Sequence, residues 1–323
     1  MGKPKVKVGV VGMGKMGALH LRKYQENPDC EVVGVFETNP ERIRALSEIT
    51  NIRIFENLAE LFFEIDAVTI SSPTTTHYAI ARLAFDSGVH VLIEKPMTPH
   101  VREAEELVSI AKAKGLVLQV GFVERYRYRA LCEGLTSSPV KFIDSVRFLS
   151  SIGRESDIDV VTDLMIHDID LVLSVISEEP NFISATGVAV LNSKFDVVNA
   201  RLEFPGGAVA NLNASRVSLK PSRRFQVFSL ENFTSFDLMN NQADVYFRTE
   251  TGSMDCLTIR KQNIDALAEQ CRQFVGSVRG DHACPLPGTD GLRSLRVAQQ
   301  ILEKIDQRFA PAPPKAENSE IRQ

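Results

Sequence analysis

Three groups of residues have types and spacings that could do chemistry. The first is Gly12, Gly14 and Gly17, which follow the apolar run Val6, Val8, Val10, Val11 in the order strand, tight turn, helix. Gly12 lets the chain reverse, Gly14 lets a pyrophosphate approach the backbone, and Gly17 lets the helix pack closely on the strand. The helix N-terminus that opens at Lys15 and Met16 offers N–H groups and a positive dipole end to phosphate. A second apolar run ends at Glu37, at the spacing where a dinucleotide fold places the carboxylate for the ribose hydroxyls. A glycine triplet alone also serves plain turns, but with Glu37 at this distance it points to a dinucleotide. Glu37 would repel a 2′-phosphate, so NAD is expected, while Arg42 and Arg44 nearby soften that preference and keep NADP open. The second group is Lys95, at a strand end before Pro96. The third is Asp163 and His167, four apart and so on one face of a helix. Imidazole titrates near neutral pH, which suits it to proton transfer.

These residues need a scaffold, and the patterning supplies one. From Val6 to Gly121, strands that are apolar throughout alternate with helical segments, which predicts a doubly wound parallel sheet covered on both faces. Ligands in such a sheet sit beyond the carboxyl ends of the strands. Two ends stand out there: Ser71-Ser72-Pro73-Thr74, leading to His77, and Glu94-Lys95-Pro96. The expected cofactor contacts are therefore Gly12, Gly14, Lys15, Met16, Gly17, Glu37, Ser71, Pro73, Thr74, His77, Glu94 and Lys95.

After Gly121 the texture changes. A helix is expected over 125–135, a strand over 141–150, and a helix over 161–176 that carries the Asp/His pair. Alternation at Val198, Ala200, Leu202 and Phe204, a Pro205-Gly206-Gly207 turn, and alternation from Ala208 to Ala214 read as an antiparallel hairpin with one buried face. The expected architecture is a nucleotide-binding domain (1–121), an α+β domain with an open, mainly antiparallel sheet (122–309) whose last helix can return to the first domain, and a disordered Pro/Ala-rich tail (310–323).

With 323 residues, a formal charge of -4 and 24% charged residues, the composition is that of an ordinary soluble protein and excludes a general nucleic-acid binder. The five cysteines are scattered, which argues against a disulfide framework or structural zinc and fits a reducing cytoplasm. No compact His/Cys/Glu cluster calls for a metal, and no apolar run approaches a membrane span.

The ordered series of a glycine fingerprint, Ser-Pro-Thr-x-x-x-His, Glu94-Lys95-Pro96, Gly121-Phe122-Val123-Glu124-Arg125-Tyr126, Asp163-Leu164-Met165-Ile166-His167-Asp168 and Asp290-Gly291-Leu292-Arg293 resembles the glucose-fructose oxidoreductase, inositol dehydrogenase and MocA family over nearly the whole chain. The resemblance implies an NAD(P)-dependent oxidoreductase moving a hydride between a sugar or nucleotide-sugar secondary alcohol and nicotinamide. It places Lys95 beside the nicotinamide and the reacting hydroxyl. His167 is then assigned as general base, Asp163 as the group that orients substrate and holds Lys95, and Lys95 as the group that polarises the reacting oxygen; the roles of Lys95 and His167 can be exchanged. Within the family the chain resembles the UDP-N-acetylglucosamine 3-dehydrogenases. Arg125 matches the family arginine and is expected to face substrate, and Arg154 and Arg224 are expected to grip an anionic group, Arg224 from a loop after the hairpin. Met165 stands where the family often has glycine, and is expected either to narrow the pocket floor or to mark a distinct subfamily. Asp168 and Asp170 read as capping or salt-bridge partners. The open sheet leaves a face to bury, so a homodimer or homotetramer is expected. The competing readings are a glycosidase using held NAD and a non-catalytic dinucleotide sensor.

Overall fold

In the computed structural model, which describes residues 3–49, 51–133, 135, 138–150, 158–191 and 193–309, the chain forms two sheets. The first contains β1 (Val6–Val11), β2 (Cys30–Phe36), β3 (Ile54–Phe55), β4 (Ala67–Ile70), β5 (His90–Ile93) and β6 (Leu118–Val120), in the order β3-β2-β1-β4-β5-β6. Every pairing is parallel. Helices α1 (Lys15–Gln25), α2 (Pro40–Ile49), α3 (Leu58–Glu64), α4 (Thr74–Asp86) and α5 (Val101–Lys114) make the crossovers. Val8, Val10, Val68, Ile70, Val91 and Ile93 are sealed from solvent, because helices cover both faces of these strands. The order reverses between β1 and β4, which is where a doubly wound sheet opens a ligand crevice.

Helix α6 (Val123–Cys132) leads into the second sheet. Its strands are β7 (Val140–Ser150), β8 (Phe182–Val188), β9 (Val197–Glu203), β10 (Val209–Ser215), β11 (Val217–Ser229), β12 (Asn232–Asp237), β13 (Gln242–Arg248) and β14 (Met254–Arg260). The order is β14-β13-β12-β11-β7-β10-β9-β8, antiparallel except for the β7/β10 pair. One face packs on α7 (Ile166–Val175) and α9 (Gly288–Phe309) around Leu171, Val172, Leu212, Ala298 and Ile301; the other face lies open.

Two strands escape the sequence pattern. In β8 the inward positions are Ile183, Ala185 and Gly187 while Phe182 and Val188 point out, so hydrophobicity does not mark the buried side. The small inward residue has a cause: a Cβ on Gly187 would stand 3.2 Å from Ile305 of α9. Edge strand β14 is exposed almost throughout and carries no burial alternation. The segment read as a loop around Lys220 is instead the start of β11, with a bulge between Val217 and Ser222 that accommodates Pro221.

The last two helices return to the first domain. Cys271, Phe274 and Val275 of α8 (Ala266–Val278) join Val6, Val8 and Leu21, and Leu292 and Leu295 of α9 join Val91 and Val120. Arg125 of α6 ties this junction. Its Nε donates to Asp170 Oδ2 at 2.9 Å, its Nη2 to Asp170 Oδ1, and its Nη1 to Asp290 of α9. Arg125 and Asp170 are both buried, so losing the cation leaves buried carboxylate uncompensated. Arg125→Met is therefore expected to lower unfolding stability by about 3–5 kcal/mol, measured by urea denaturation; a loss under ~1 kcal/mol would show that the junction is held by apolar packing alone.

Candidate active site

The glycine turn lies at the reversal between β1 and β4. Gly12 has φ +84°, and a Cβ there would stand 2.6 Å from Ser72 N, so backbone conformation and β4 packing both demand glycine. A Cβ on Gly17 would fall 1.9 Å from Gly12 O, which fixes how closely α1 sits on the turn. Gly14 differs: a Cβ would meet nothing nearer than Arg42 Nη1 at 3.9 Å, so this glycine borders open space. Helix α1 starts there with no side-chain cap and no acid in its first turn, which leaves its positive end available to an anion. Lys15 at that start is exposed.

A cleft of about 200 Å³ lined by Gly12, Glu37, Arg42, Ser71 and Pro73 adjoins the turn. Burial opposes ionisation of Glu37, but three backbone amides outweigh it and lower its pKa: Asn39 at 2.8 Å, Met13 at 2.7 Å and Thr38 at 2.7 Å. The carboxylate is thus preset in charge and direction at the end of β2. These residues fit a dinucleotide: a sterically open glycine and an uncapped helix end for phosphate, and a fixed carboxylate for ribose hydroxyls.

His77 is buried with Nδ1 3.1 Å from Pro96 O and Nε2 2.9 Å from Ser72 O, so its ring ties the two strand-end segments together. Thr74 opens α4 and is absent from the cleft lining.

A second cleft of about 200 Å³ lies where the domains meet and is lined by Met16, Glu94, Lys95, Asp163 and His167 among others. Lys95 Nζ donates to Asp163 O at 2.6 Å and Asp163 Oδ1 at 3.2 Å, so an ammonium from the first domain is held by the second. Asp163 lies in a π turn, Val161–Met165, that precedes α7 and alters the aim of Asp163 relative to a regular helix. Asp159 precedes this turn and accepts from Thr162 N at 2.9 Å. Met165 is fully buried in the second domain's core and does not form the pocket floor.

His167 packs edge-on against Phe122, with ring centroids 6.1 Å apart. Its Nδ1 is buried without a hydrogen-bond partner. Burial, then the positive charges of Lys95, Arg147 and Arg223, hold its pKa well below the usual value. The ring is neutral and able to accept a proton.

Of the arginines expected to touch substrate, Arg125 is consumed by Asp170 and Asp290 and is absent from the cleft lining. Arg154 lies outside the described residues. Arg224 is exposed, on the far face of β11; strand alternation sends its neighbour Arg223 into the cleft instead. Sequence reading also passed over Arg147 and Glu124, which line the cleft as well. Strand alternation on β11 was the available signal for Arg223, had the strand been recognised. Asp168 accepts from Arg147 Nε at 2.8 Å and Nη2 at 3.0 Å, and Asp170 pairs with Arg125, so both acids are salt-bridge partners. Among the described residues no group of acids, histidines and cysteines could hold a metal ion. A larger cavity of about 640 Å³ lies between the ends of α6 and α7 and strands β11 and β12, and contains none of Lys95, Asp163 or His167.

Comparison with known proteins gives this geometry a context. Residues 6–122 match the oxidoreductase family with an NAD-binding Rossmann fold, and residues 154–231 match the GFO/IDH/MocA C-terminal domain. The chain is 34% identical over 308 residues to the UDP-N-acetylglucosamine 3-dehydrogenase of Acidithiobacillus ferrooxidans, covering 93% of this chain and 97% of that one. The chain belongs to the GFO/IDH/MocA oxidoreductase family. A crystal structure of the same A. ferrooxidans enzyme superposes with a TM-score of 0.88 at 33% identity, covering 94% of this chain and 99% of that one. An inositol 2-dehydrogenase of Rhizobium meliloti is 24% identical over 331 residues, covering 93% and 97%. This member of the family is thus an oxidoreductase with an NAD-binding first domain.

Behind Lys95 lies a buried polar chain. His20 Nε2 is 2.7 Å from Glu94 Oε1, and its Nδ1 is 3.4 Å from Cys271 Sγ on α8. Burial opposes a charge on His20, but Cys271 and Glu94 outweigh it and raise its pKa to about 10. Because the folded-state pKa exceeds the ~6.5 of an exposed imidazole, the contact contributes fully below about pH 6.5 and is lost as pH rises through about 10. The stability gap between wild type and His20→Gln is expected to narrow by a few kcal/mol between these limits. Urea unfolding across that range would measure it; a constant gap would mean that His20 is neutral when folded.

Proposed function

We propose that this chain is an NAD-dependent dehydrogenase of a nucleotide sugar, oxidising a ring secondary alcohol of UDP-N-acetylglucosamine or a close relative. The observation that carries the reading is the convergence of Lys95, Asp163 and His167 on one cleft beside the glycine turn. Similarity to a UDP-N-acetylglucosamine 3-dehydrogenase over almost the whole chain supports the substrate class. Glu37, fixed as an anion, supports NAD over NADP.

Bound at the glycine turn, the dinucleotide would supply the hydride acceptor. The protein's own part is proton handling and orientation. Lys95 presents its ammonium to the reacting oxygen and stabilises the charge that develops as the hydroxyl proton leaves. Neutral His167 accepts that proton. Asp163 keeps the ammonium in place, through both its carboxylate and its backbone carbonyl.

The second sheet's open face supports self-association. Phe142, Phe228, Phe233 and Tyr246 lie directly opposite one another on β7, β11, β12 and β13, with successive ring centroids 5.3, 4.4 and 5.4 Å apart. An aromatic row across four strands on an uncovered face is suited to burial against a second copy. No helix among the described residues is long and apolar enough to cross a membrane. All five cysteines are free, which suits a reducing cytoplasm.

Cofactor reduction should be fastest with UDP-N-acetylglucosamine in a panel including free hexoses, inositols and sugar acids. Lys95→Ala should lower kcat by at least ~100-fold while NAD still binds. Preference for an inositol would sink the substrate reading, and normal turnover by Lys95→Ala would sink the site. Glycoside cleavage without net cofactor reduction would point to a glycosidase, and tight NAD binding without turnover of any sugar to a sensor. Separately, Phe233→Glu should shift sedimentation from dimer or tetramer to monomer; a monomeric wild type would overturn the assembly.

A further inference from the structure

The wall of the catalytic cleft contributed by the second domain carries more positive charge than it balances. Arg147 of β7 and Arg223 of β11 stand directly opposite each other in the sheet. Like charges so placed are destabilising. Arg147 is neutralised by a two-pronged pair with Asp168, at 2.8 and 3.0 Å. Among the described residues Arg223 has no acid to itself: its Nη1 donates to Glu124 Oε1 at 3.1 Å, and the same oxygen accepts from Arg127 Nη1 at 2.8 Å. Three guanidiniums therefore face two carboxylates, while Lys95 is matched by Asp163.

Hydrogen bonding at this wall is also incomplete. Among the described residues, Arg223 Nε, Arg127 Nε and Glu124 Oε2 are buried with no hydrogen-bond partner, as is His167 Nδ1. Glu124 is 4% exposed, so its empty oxygen is a buried polar atom at the cleft and not a surface group. Unsatisfied buried atoms cost about 1–3 kcal/mol each, and a surplus of charge beside them implies a ligand that completes the set. Burial, helped by the fields of Arg147 and Arg127, lowers the pKa of Arg223 against the opposing charges of Glu124 and Asp168.

We infer that Arg223 is a specificity-determining residue that receives a phosphate group of the nucleotide-sugar substrate, with the free oxygen of Glu124 accepting from a sugar hydroxyl. This rests on the nucleotide-sugar reading above and adds the means by which a nucleotide sugar is told from a neutral one. The guanidinium is suited to the task, since its planar fork meets phosphate oxygens in pairs where an ammonium cannot.

The test compares wild type, Arg223→Ala and Arg223→Lys in two measurements. The first is the ratio of kcat/KM for UDP-N-acetylglucosamine to that for free N-acetylglucosamine, and the second is binding of UDP to the NAD-loaded protein by calorimetry. Arg223→Ala is expected to reduce both the ratio and the UDP affinity at least ~10-fold, chiefly through KM, with Arg223→Lys recovering only part. Equal losses for the charged and neutral sugars, with UDP affinity unchanged, would overturn the assignment. Wild type that binds UDP through Arg223 but oxidises no nucleotide sugar would overturn the proposed function and leave the phosphate subsite standing.

Discussion

The organising contact of this molecule is the one between Lys95 Nζ and Asp163. A lysine at the end of a parallel strand has a long, flexible stem, and fixing its head costs about 2 kcal/mol of rotamer freedom. Here the head is fixed by two acceptors of one residue, at 2.6 and 3.2 Å, both from the other domain. The Lys95 ammonium is therefore located by how the two sheets sit together, and anything that shifts one domain against the other moves it. Elements far from the cleft inherit a role in chemistry for that reason. Arg125, joining α6 to α7 and α9, helps set the distance across which Lys95 reaches.

The cleft shows how burial and charge divide labour among similar groups. His167 and His20 are both imidazoles in apolar surroundings, yet they are driven in opposite directions. His20 has a carboxylate at 2.7 Å and a sulfur at 3.4 Å, and it is held protonated. His167 faces Lys95, Arg147 and Arg223, and it is held neutral. One becomes a charged strut beneath Glu94 and the other a neutral ring at the cleft, with no difference in residue type between them.

Much of this could be read from the chain. The parallel sheet announced itself through strands apolar at every position, and the glycine turn through spacing and the acid at Glu37. The fold of the first domain and the family follow from such local signals, which also single out Lys95, Asp163 and His167, three residues that line one cleft. What the sequence concealed was direction. Arg223 and Arg224 are adjacent and chemically identical, and only the strand's alternation decides which enters the cleft. The bulge around Pro221 hid that strand. Arg125 looked like a ligand-binding cation because its partners, Asp170 and Asp290, are distant in sequence. His77 lay in a motif associated with cofactor, but its ring serves two backbone carbonyls. The π turn at Val161–Met165 has no compositional mark, since it differs from an α-helix only in hydrogen-bond reach.

The return of α8 to the first domain bears on the order in which the molecule can be assembled. Val6, Val8 and Leu21 share a core with Phe274 and Val275, which emerge far later in synthesis. The nucleotide-binding half cannot close that side when its own strands are complete; it must wait with apolar side chains uncovered while the entire second sheet is made. Contacts of such long sequence separation slow folding and expose the nascent protein to aggregation. The two halves are thus distinct in architecture, yet they share cores, with α8 and α9 acting as the closing seam.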